Sequence, residues 1–275
     1  MDRDRAPLEL LSWFERLAFR LLRFVNGPAH RLALVWQVVC LFPLLWIFMG
    51  RRLVIRGQER LDLLPPDASF LLVANHRSFF DLFVLTWIFI GKRKLRHRVS
   101  FPVRANFFYE NPLGVFFMLF FSGGSMFPPI FRDPGKRAFN QHCVKVLLDR
   151  LREPGNMIGF HPEGTRGKGD DPYEMLRAQP GAGKLVIEAR PLVVPAFVSG
   201  LTNSLWRELV DNLKKTRPVV VVFGAPIAPE RWPEGSRMAV QMRVAEELLD
   251  EIRALHPEER ATREALAKEA ASRGA

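Results

Sequence analysis

The chain has few cysteines and tyrosines and fewer acidic than basic residues. Its 275 residues contain only Cys40 and Cys143, too few for a disulfide framework or a cysteine-ligated metal cluster. With 2 Tyr against 23 Phe, most aromatic area lacks a hydroxyl, which suits a core or a lipid-facing surface. The net charge of +11 favours an anionic partner, either nucleic acid, acidic lipid or a phosphorylated substrate. Zinc-finger spacing and RNA-binding aromatic motifs are absent, which argues against nucleic acid.

Residues 8–25 have the pattern of an amphipathic helix. Arg16, Arg20 and Arg23 recur at a spacing of three and four and form a narrow basic stripe on an otherwise apolar helix. Such a helix suits a membrane interface, with arginine side chains reaching the headgroups. The alternative interpretation is a helix that packs on the rest of the protein.

Residues 32–50 form an apolar run without a charged side chain. As a helix the run would rise about 28 Å, close to the thickness of the hydrocarbon layer. Pro43, Gln37 and basic residues at both ends argue against a simple span. We therefore predict that residues 1–50 form a membrane-associated hairpin in one leaflet, with the protein on the cytoplasmic face; a single span is the alternative.

From residue 51 onward, short apolar strands alternate with helical patterns, which is typical of an α/β domain with a buried, largely parallel sheet. We predict one catalytic domain over residues 51–256, with a mixed, largely parallel sheet flanked by helices, followed by a polar helical tail over 257–275. The predicted strands are 53–57, 69–75, 98–103, 156–161, 192–199 and 218–224. The predicted helices lie near 78–91, 105–120, 135–152, 203–213 and 237–255.

The first candidate site follows the strand at 69–75. His76 can accept a proton from an alcohol near neutral pH, and Asp81, five residues later, can orient its imidazole. The end of a strand that leads into a helix is a favoured place for active groups in such sheets. An alternative is that Ser78 and Asp81 form a capping box, which would leave His76 an ordinary loop residue. The local sequence does not separate the two interpretations.

The second candidate site is the glycine-rich loop after the strand at 156–161. Gly164 allows close approach of the backbone to a ligand. Arg166 can hold a phosphate through paired hydrogen bonds, and the hydroxyl of Thr165 can add another. Glu163 would repel a phosphate, but it can accept a substrate hydroxyl or orient Arg166. The alternative interpretation is a solvated surface turn.

The two motifs in this order, Asn75-His76-x-Ser78-x-x-Asp81 and then Pro162-Glu163-Gly164-Thr165-Arg166, resemble those of the glycerolipid acyltransferase family that includes lysophosphatidate acyltransferases. The resemblance covers about residues 50–225. It implies that His76 is the general base and Asp81 its orienting partner. It also implies that Glu163, Gly164, Thr165 and Arg166 bind the glycerol phosphate of the acceptor.

The sequence departs from this pattern in three places. His161 stands where the family usually has Phe before Pro-Glu-Gly, and Gly167 stands where a Ser often follows the Thr-Arg. The motif between the two loops is stretched around residues 126–129. Arg132 and Arg104 lie in that middle region and are further candidate phosphate contacts. Because the region often shapes acceptor binding, the acceptor stays open at this point.

The resemblance implies an O-acyltransferase that uses acyl-CoA or acyl-carrier protein as co-substrate and needs no cofactor or metal. The expected reaction acylates a lysophospholipid, 1-acylglycerol 3-phosphate above others, to give phosphatidic acid at the membrane. Alternatives are the same chemistry on glycerol 3-phosphate, another lysophospholipid or a lipid-linked amino acid or sugar. A non-catalytic membrane-binding protein is a further alternative.

Overall fold

A computed structural model describes residues 6–93, 96–235 and 237–274. The first five residues of the predicted membrane segment, Lys94 and Leu95 in the catalytic domain, Ser236 and Ala275 lie outside the described residues.

A six-stranded sheet lies at the centre of the molecule. Its order is β1-β8-β7-β2-β6-β3, and every neighbouring pair is parallel except β7 with β8. Two short parallel strands, β4 and β5, form a second sheet. The strands are β1 (Leu53–Arg56), β2 (Phe70–Ala74), β3 (Arg98–Ser100), β4 (Val103–Arg104), β5 (Pro129–Ile130), β6 (Asn156–Phe160), β7 (Leu192–Ser199) and β8 (Val219–Phe223). The prediction of a mixed, largely parallel sheet flanked by helices is confirmed.

Helices cover both faces of the sheet. They are α1 (Trp13–Asn26), α2 (His30–Trp36), α3 (Phe42–Met49), α4 (Asp81–Thr86), α5 (Ala105–Phe108), α6 (Pro112–Ser122), α7 (Arg137–Arg152), α8 (Pro180–Ala189), α9 (Leu205–Lys214), α10 (Met238–Arg253) and α11 (His256–Gly274). Wider π-helical turns at Gln37–Leu41 and Trp87–Lys92 follow α2 and α4. Short 3₁₀ helices lie at Leu8–Leu10, Gly50–Arg52, Gln58–Leu63, Pro134–Lys136 and Pro229–Arg231.

Alternate side chains of β2 enter two separate hydrophobic cores. Phe70 and Leu72 join the core formed with α1, α3, α4 and α6, whereas Leu71 and Val73 join the core formed with α8 and α10. Successive side chains of a strand point to opposite faces, so a strand that is apolar throughout is buried on both sides. The buried sheet therefore holds the ends of its central strands in fixed positions.

Proline and asparagine divide two of the predicted elements. The strand predicted at 98–103 is two strands, β3 and β4, because Pro102 lacks the N–H that a continuous ladder requires. The helix predicted at 105–120 is divided at Asn111, whose side chain accepts a hydrogen bond from Gly114 N (2.7 Å) and begins α6.

The helix α8 was not among the predicted helices. Proline and glycine in this segment obscure the helical pattern in the sequence. In the structure Pro180 occupies the first turn, where a missing N–H costs nothing. Gly183 lies so close to the backbone of α10 that a Cβ there would be 1.8 Å from Gln241 O.

The apolar N-terminal segment packs on the domain through buried apolar side chains, among them Leu45 and Met49, and through a few polar groups. The residues from His30 to Arg52 form one helical run that is long and apolar enough to cross a membrane, but 28% of its most apolar stretch is buried. Gln37 donates from Nε2 to Ser122 O at the end of α6 (2.5 Å), which explains a polar residue inside this run. On α1, Trp13, Leu17 and Phe24 are exposed. These helices thus bury one side and expose an apolar side.

Candidate active site

The loop that follows β2 is fixed at both ends by side-chain hydrogen bonds. The buried amide of Asn75 donates to Val198 O (2.8 Å) and accepts from Val198 N (2.7 Å) of the neighbouring strand β7. The hydroxyl of Ser78 donates to Thr202 O (2.6 Å) and accepts from Phe80 N (3.1 Å). The loop between these two anchors carries His76.

His76 and Asp81 face each other across this loop. His76 Nδ1 lies 3.2 Å from Asp81 Oδ2, and 24% of the histidine side chain is exposed, against 1% for the aspartate. A carboxylate at Nδ1 holds the proton on that nitrogen and leaves Nε2 as the proton acceptor. The structure brings the predicted pair together in the geometry of a general base and its orienting partner.

Asp81 also binds the backbone of its own loop. The same oxygen, Oδ2, accepts from Arg77 N (2.9 Å) and Ser78 N (2.8 Å). A complete capping box is not formed, because the Ser78 oxygen accepts from Phe80 N instead of Asp81 N, which donates to Ser78 O. The two interpretations of the sequence are therefore compatible: the backbone bonds fix the carboxylate that orients the imidazole.

Burial and neighbouring charges keep the imidazole neutral. Desolvation, together with the positive charges of Arg166 and Arg104, lowers the pKa of His76 to about 4. Burial raises the pKa of Asp81 to about 6, against hydrogen bonds from the loop that lower it. Near pH 7 the site therefore holds an uncharged imidazole beside an ionised carboxylate, which is the state that can accept a proton.

The loop that follows β6 lies directly beside His76, because β6 and β2 are parallel neighbours and end at the same edge of the sheet. Gly167 N donates to His76 O (2.8 Å). Gly164 adopts a φ of 64°, which a residue with a side chain rarely adopts. Thr165 is exposed in the same loop.

Glu163 is buried beneath this loop, and each of its oxygens accepts a backbone hydrogen bond. Oε1 accepts from His76 N (2.8 Å) and Oε2 from Leu176 N (2.7 Å). Burial raises the pKa of this carboxyl, and the two backbone donors partly oppose that rise. In this arrangement Glu163 links the loop that carries His76 to the segment after the glycine-rich loop.

The exposed Arg166 and Arg104 lie near His76, and the exposed Arg132 lies near Arg104. Arg166 Nη1 donates to Asn203 Oδ1 (2.9 Å), and Arg104 Nη2 donates to Gly164 O (3.0 Å). Arg104 belongs to β4, whose partner β5 ends two residues before Arg132. Burial lowers the pKa of Arg104, and so do the charges of Arg132 and Arg166, which places both of these guanidinium groups within electrostatic range of Arg104. The structure thus brings together the predicted basic residues of the site.

Two residues at the site were not recognised as functional candidates from the sequence. The ring of His161 stacks on that of His76, with centroids 4.1 Å apart and planes 5° apart, and its Nδ1 lies 3.0 Å from Ala74 O. Asn203 accepts from both Phe79 N (2.9 Å) and Arg166. One indication for Asn203 was present in the sequence: it follows β7, whose end lies at the same edge of the sheet as the two motifs. Among the described residues, no group of three or more His, Cys, Asp or Glu side chains is arranged to hold a metal ion.

Parts of the chain are similar to known proteins. The chain is 26% identical over 212 residues to a 1-acyl-sn-glycerol-3-phosphate acyltransferase from Chlamydomonas reinhardtii; the match covers 76% of this chain and 58% of that relative's length. Among solved structures, it is similar to the 1-acyl-sn-glycerophosphate acyltransferase of Thermotoga maritima at 16% identity, covering 90% of this chain and 85% of that one. The TM-score is 0.43.

The model of the family described as Acyltransferase matches residues 52–199, which is more than half of the chain and includes both loops of the site. The chain belongs to this acyltransferase family.

Proposed function

We propose that this protein transfers a fatty acyl group from a thioester donor to the free hydroxyl of a lysophosphatidate at a membrane surface, giving phosphatidic acid. The observation that carries the proposal is the neutral His76, oriented by Asp81, near the guanidinium groups of Arg166 and Arg104. Arg132 adds a third positive charge beside Arg104. A proton acceptor next to a dense positive charge suits an acceptor that has both a hydroxyl and a phosphate.

His76 acts as the general base. Its Nε2 takes the proton of the acceptor hydroxyl while that oxygen attacks the thioester carbonyl, and Asp81 stabilises the imidazolium that forms. The C–S bond then breaks, and the imidazolium returns the proton to the departing thiolate. The products are an ester and a free thiol, and His76 ends the cycle neutral.

Direct transfer is supported by the state of Ser78. This residue is the only hydroxyl nucleophile in the His76 loop, yet it is fully buried, with its Oγ already donating to Thr202 O and accepting from Phe80 N. An acyl-serine intermediate would require both bonds to break. The proposal therefore contains no covalent acyl-enzyme, and acyl-CoA or acyl-carrier protein is the donor.

The arginines bind the acceptor's phosphate. Arg166 and Arg104 are each held by one hydrogen bond, and the remaining N–H groups of each planar guanidinium can form paired bonds to phosphate oxygens. A phosphate also offsets the repulsion among the three like charges. This argument favours a phosphate monoester over an uncharged acceptor.

The N-terminal helices bring the site to its lipid substrate. The exposed side of α1 has an apolar stripe of Trp13, Leu17 and Phe24, flanked by the exposed Arg16 and Arg20. This combination suits the boundary between headgroups and acyl chains. We propose that these helices insert in the cytoplasmic leaflet, which makes the enzyme monotopic.

The deciding experiment measures thiol release from long-chain acyl-CoA by the purified protein in detergent, with and without lysophosphatidate. Release should require the acceptor, and His76→Ala should lower the turnover number about 10²- to 10⁴-fold, the usual contribution of a positioned general base. His142→Ala, on α7, is the matched histidine control.

Acyl-carrier protein and glycerol 3-phosphate are tested next in the same assay. Absence of turnover with every donor and acceptor would contradict the proposed function. Full activity in a folded His76→Ala variant, checked by circular dichroism, would contradict the role of His76.

A further inference from the structure

The helix α9 is amphipathic in the sense opposite to that of an ordinary surface helix. Its polar residues Glu208 and Asn212 are 0% and 1% exposed, whereas its apolar residues Trp206 and Leu213 are 73% and 60% exposed. A helix on a soluble protein normally turns its apolar side to the core. The exposed position of a tryptophan and a leucine seven residues apart, on one face, indicates an apolar environment outside the protein.

The buried polar side of α9 binds the C-terminal end of the N-terminal helical run. Glu208 forms a buried ion pair with Arg52. Asn212 donates from Nδ2 to Trp46 O (3.2 Å) and Ile47 O (2.6 Å) and accepts from Arg51 N (3.0 Å). These bonds provide partners for backbone groups at a helix end, where intrahelical partners run out. They attach α9 to the proposed membrane hairpin as one unit.

The apolar surfaces of the two elements meet at this attachment. Trp46 and Ile47, whose carbonyls bind Asn212, have side chains that are 55% and 48% exposed. The exposed side of α9 therefore lies beside that of α3. An isolated apolar face could bind many partners. The exposed side of α9, however, is continuous with the exposed side of α3, for which we propose lipid contact, so lipid is the occupant we propose for α9.

The charges around α9 select the lipid. Both of its acidic side chains are engaged inside the protein, Glu208 with Arg52 and Asp211 with Thr216 (3.0 Å) and Arg217 (3.7 Å). The exposed charged side chains on and just after the helix are basic, namely Arg207, Lys214 and Lys215. An apolar ridge with basic flanks is complementary to an anionic bilayer surface.

We propose that α9 is a second membrane-docking element, which places Trp206 and Leu213 among the lipids of an anionic bilayer beside the hairpin. The inference rests on the proposed function only in one respect, the choice of lipid as what covers the exposed side of α9. It goes beyond that function because it assigns membrane contact to a helix of the catalytic domain.

This docking sets the position of the active site relative to the membrane. The segment just before α9 accepts hydrogen bonds from the site: Thr202 O from the Ser78 hydroxyl, and Asn203 Oδ1 from both Phe79 N and Arg166. Thr202 N in turn donates to Glu208 on the buried side of α9 (2.6 Å). A short chain of bonds thus connects the lipid-contacting helix to both loops of the site.

The test compares the full-length protein with the double variant Trp206→Ser/Leu213→Ser on vesicles. Both positions are exposed, so the substitutions leave the core intact. Partition onto vesicles of phosphatidylcholine and phosphatidylglycerol should fall about tenfold, because the transfer of two apolar side chains is lost. The matched control is Met238→Ser/Met242→Ser, on the exposed side of α10 over the opposite core, which should change partition less than twofold.

A second experiment measures how deeply α9 lies in the bilayer. It is needed because the N-terminal hairpin could bind vesicles so strongly that loss of the α9 contact leaves partition unchanged. A fluorophore on Leu213→Cys, in a Cys40→Ala background, should be quenched by lipids brominated near the headgroup, and the same label on Met238→Cys should not. Unquenched fluorescence at position 213 on bound protein would overturn the proposal. The proposal would also be overturned if the wild type were a dimer and the double variant a monomer that still bound vesicles as well as the wild type. The apolar side of α9 would then be covered by a second copy of the chain.

The vesicle measurements need no turnover, which keeps the two proposals separable. A loss of partition in a protein without acyltransferase activity would support α9 docking and contradict the proposed function. Unchanged partition and no quenching in an active enzyme would contradict α9 docking alone. In the active enzyme, the double variant should raise the KM for vesicle-embedded acceptor and leave turnover in detergent unchanged.

Discussion

The two halves of the active site differ in how firmly the protein holds them. On one side, Asp81 Oδ2 accepts three hydrogen bonds from its own loop, and Asn75 and Ser78 bind that loop to its neighbours. On the other side, Arg166 and Arg104 are exposed, and each is held by a single bond. One half is fixed before substrate arrives, and the other is free to adjust.

The difference indicates how the work is divided between the halves. A general base must sit within hydrogen-bonding distance of its proton, so a fixed loop favours the chemical step. Long arginine side chains adapt to a charged headgroup and gain their order on binding. We expect substitutions on the fixed side to change mainly kcat and those on the arginine side to change mainly KM for the acceptor.

The largest effect beyond loss of His76 itself is expected for Asp81→Asn. An amide oxygen in the place of Oδ2 can keep the backbone bonds, but it carries no negative charge to stabilise the imidazolium that forms as His76 takes the proton. We expect kcat to fall at least 10²-fold with little change in KM, measured by thiol release. A fall in kcat below fivefold would show that Asp81 serves the backbone alone.

The same variant should be more stable than the wild type above pH 7. Burial raises the pKa of Asp81 from 3.8 to about 6, so the folded state binds this proton more tightly than the unfolded chain does. The fold therefore loses stability as pH rises through this range, by up to about 3 kcal/mol above it. Removing the ionisable group should raise the free energy of unfolding at pH 8, measured by denaturant titration; a decrease would contradict the argument.

Arg166→Gln tests the adjustable half. We expect KM for the phosphate acceptor to rise about 10- to 100-fold, because charge-assisted bonds to a phosphate are lost, and kcat to change less than fivefold. Arg104→Gln and Arg132→Gln should also raise KM for the acceptor, but by a smaller factor. Arg243→Gln, on the exposed side of α10, is the matched control and should have no effect. If Arg166→Gln lowered kcat and left KM unchanged, Arg166 would act in the chemical step rather than in binding the acceptor.

Glu163→Gln tests a residue that lies between the two halves, since Glu163 belongs to the glycine-rich loop and binds His76 N of the other loop. A glutamine has one acceptor oxygen for the two amides, His76 N and Leu176 N, that the carboxylate now binds. We expect kcat to fall about tenfold and stability to fall by about 1–3 kcal/mol, since one buried donor is left unpaired. If KM for the acceptor rises instead, Glu163 binds the acceptor directly, as the family resemblance implies.

The smallest effect is expected from pH near neutrality. The coupled pair of His76 and Asp81 reaches its active state, with neutral imidazole and ionised carboxylate, above about pH 6. Hence kcat/KM should be flat from pH 7 to 8 and fall as pH drops below 6. Because the acceptor's phosphate also titrates, the profile is compared with that of Asp81→Asn. A midpoint above pH 7 in the wild type alone would contradict a neutral His76.

Much of the fold was predictable because burial leaves a simple pattern. Each predicted strand contains a strand of the main sheet, since apolar runs bounded by turns are typical of a sheet covered on both faces. The helix α8 was missed because its Gly183 serves contact with α10 rather than local helix formation. Contacts of this kind leave no periodic signal.

The site was predictable to the level of residue types. His76, Asp81 and Arg166 stand in motifs next to strand ends, and local sequence shows this. The stacking of His161 on His76, and the two bonds that Asn203 accepts, join segments far apart in the chain. Predicting them requires the strand order, which sequence spacing does not contain.

By itself, the sequence determined the sheet, the two motifs and the apolar N-terminal run, because alternation and strand-end chemistry are local properties. The tertiary structure alone decided which polar groups are satisfied and which surfaces stay open. Parallel pairing of β2 and β6 brings the loops together, and buried Glu208 and Asn212 turn the apolar side of α9 outward. Both outcomes depend on the cost of leaving a buried polar group without a partner, which is settled only when distant segments meet.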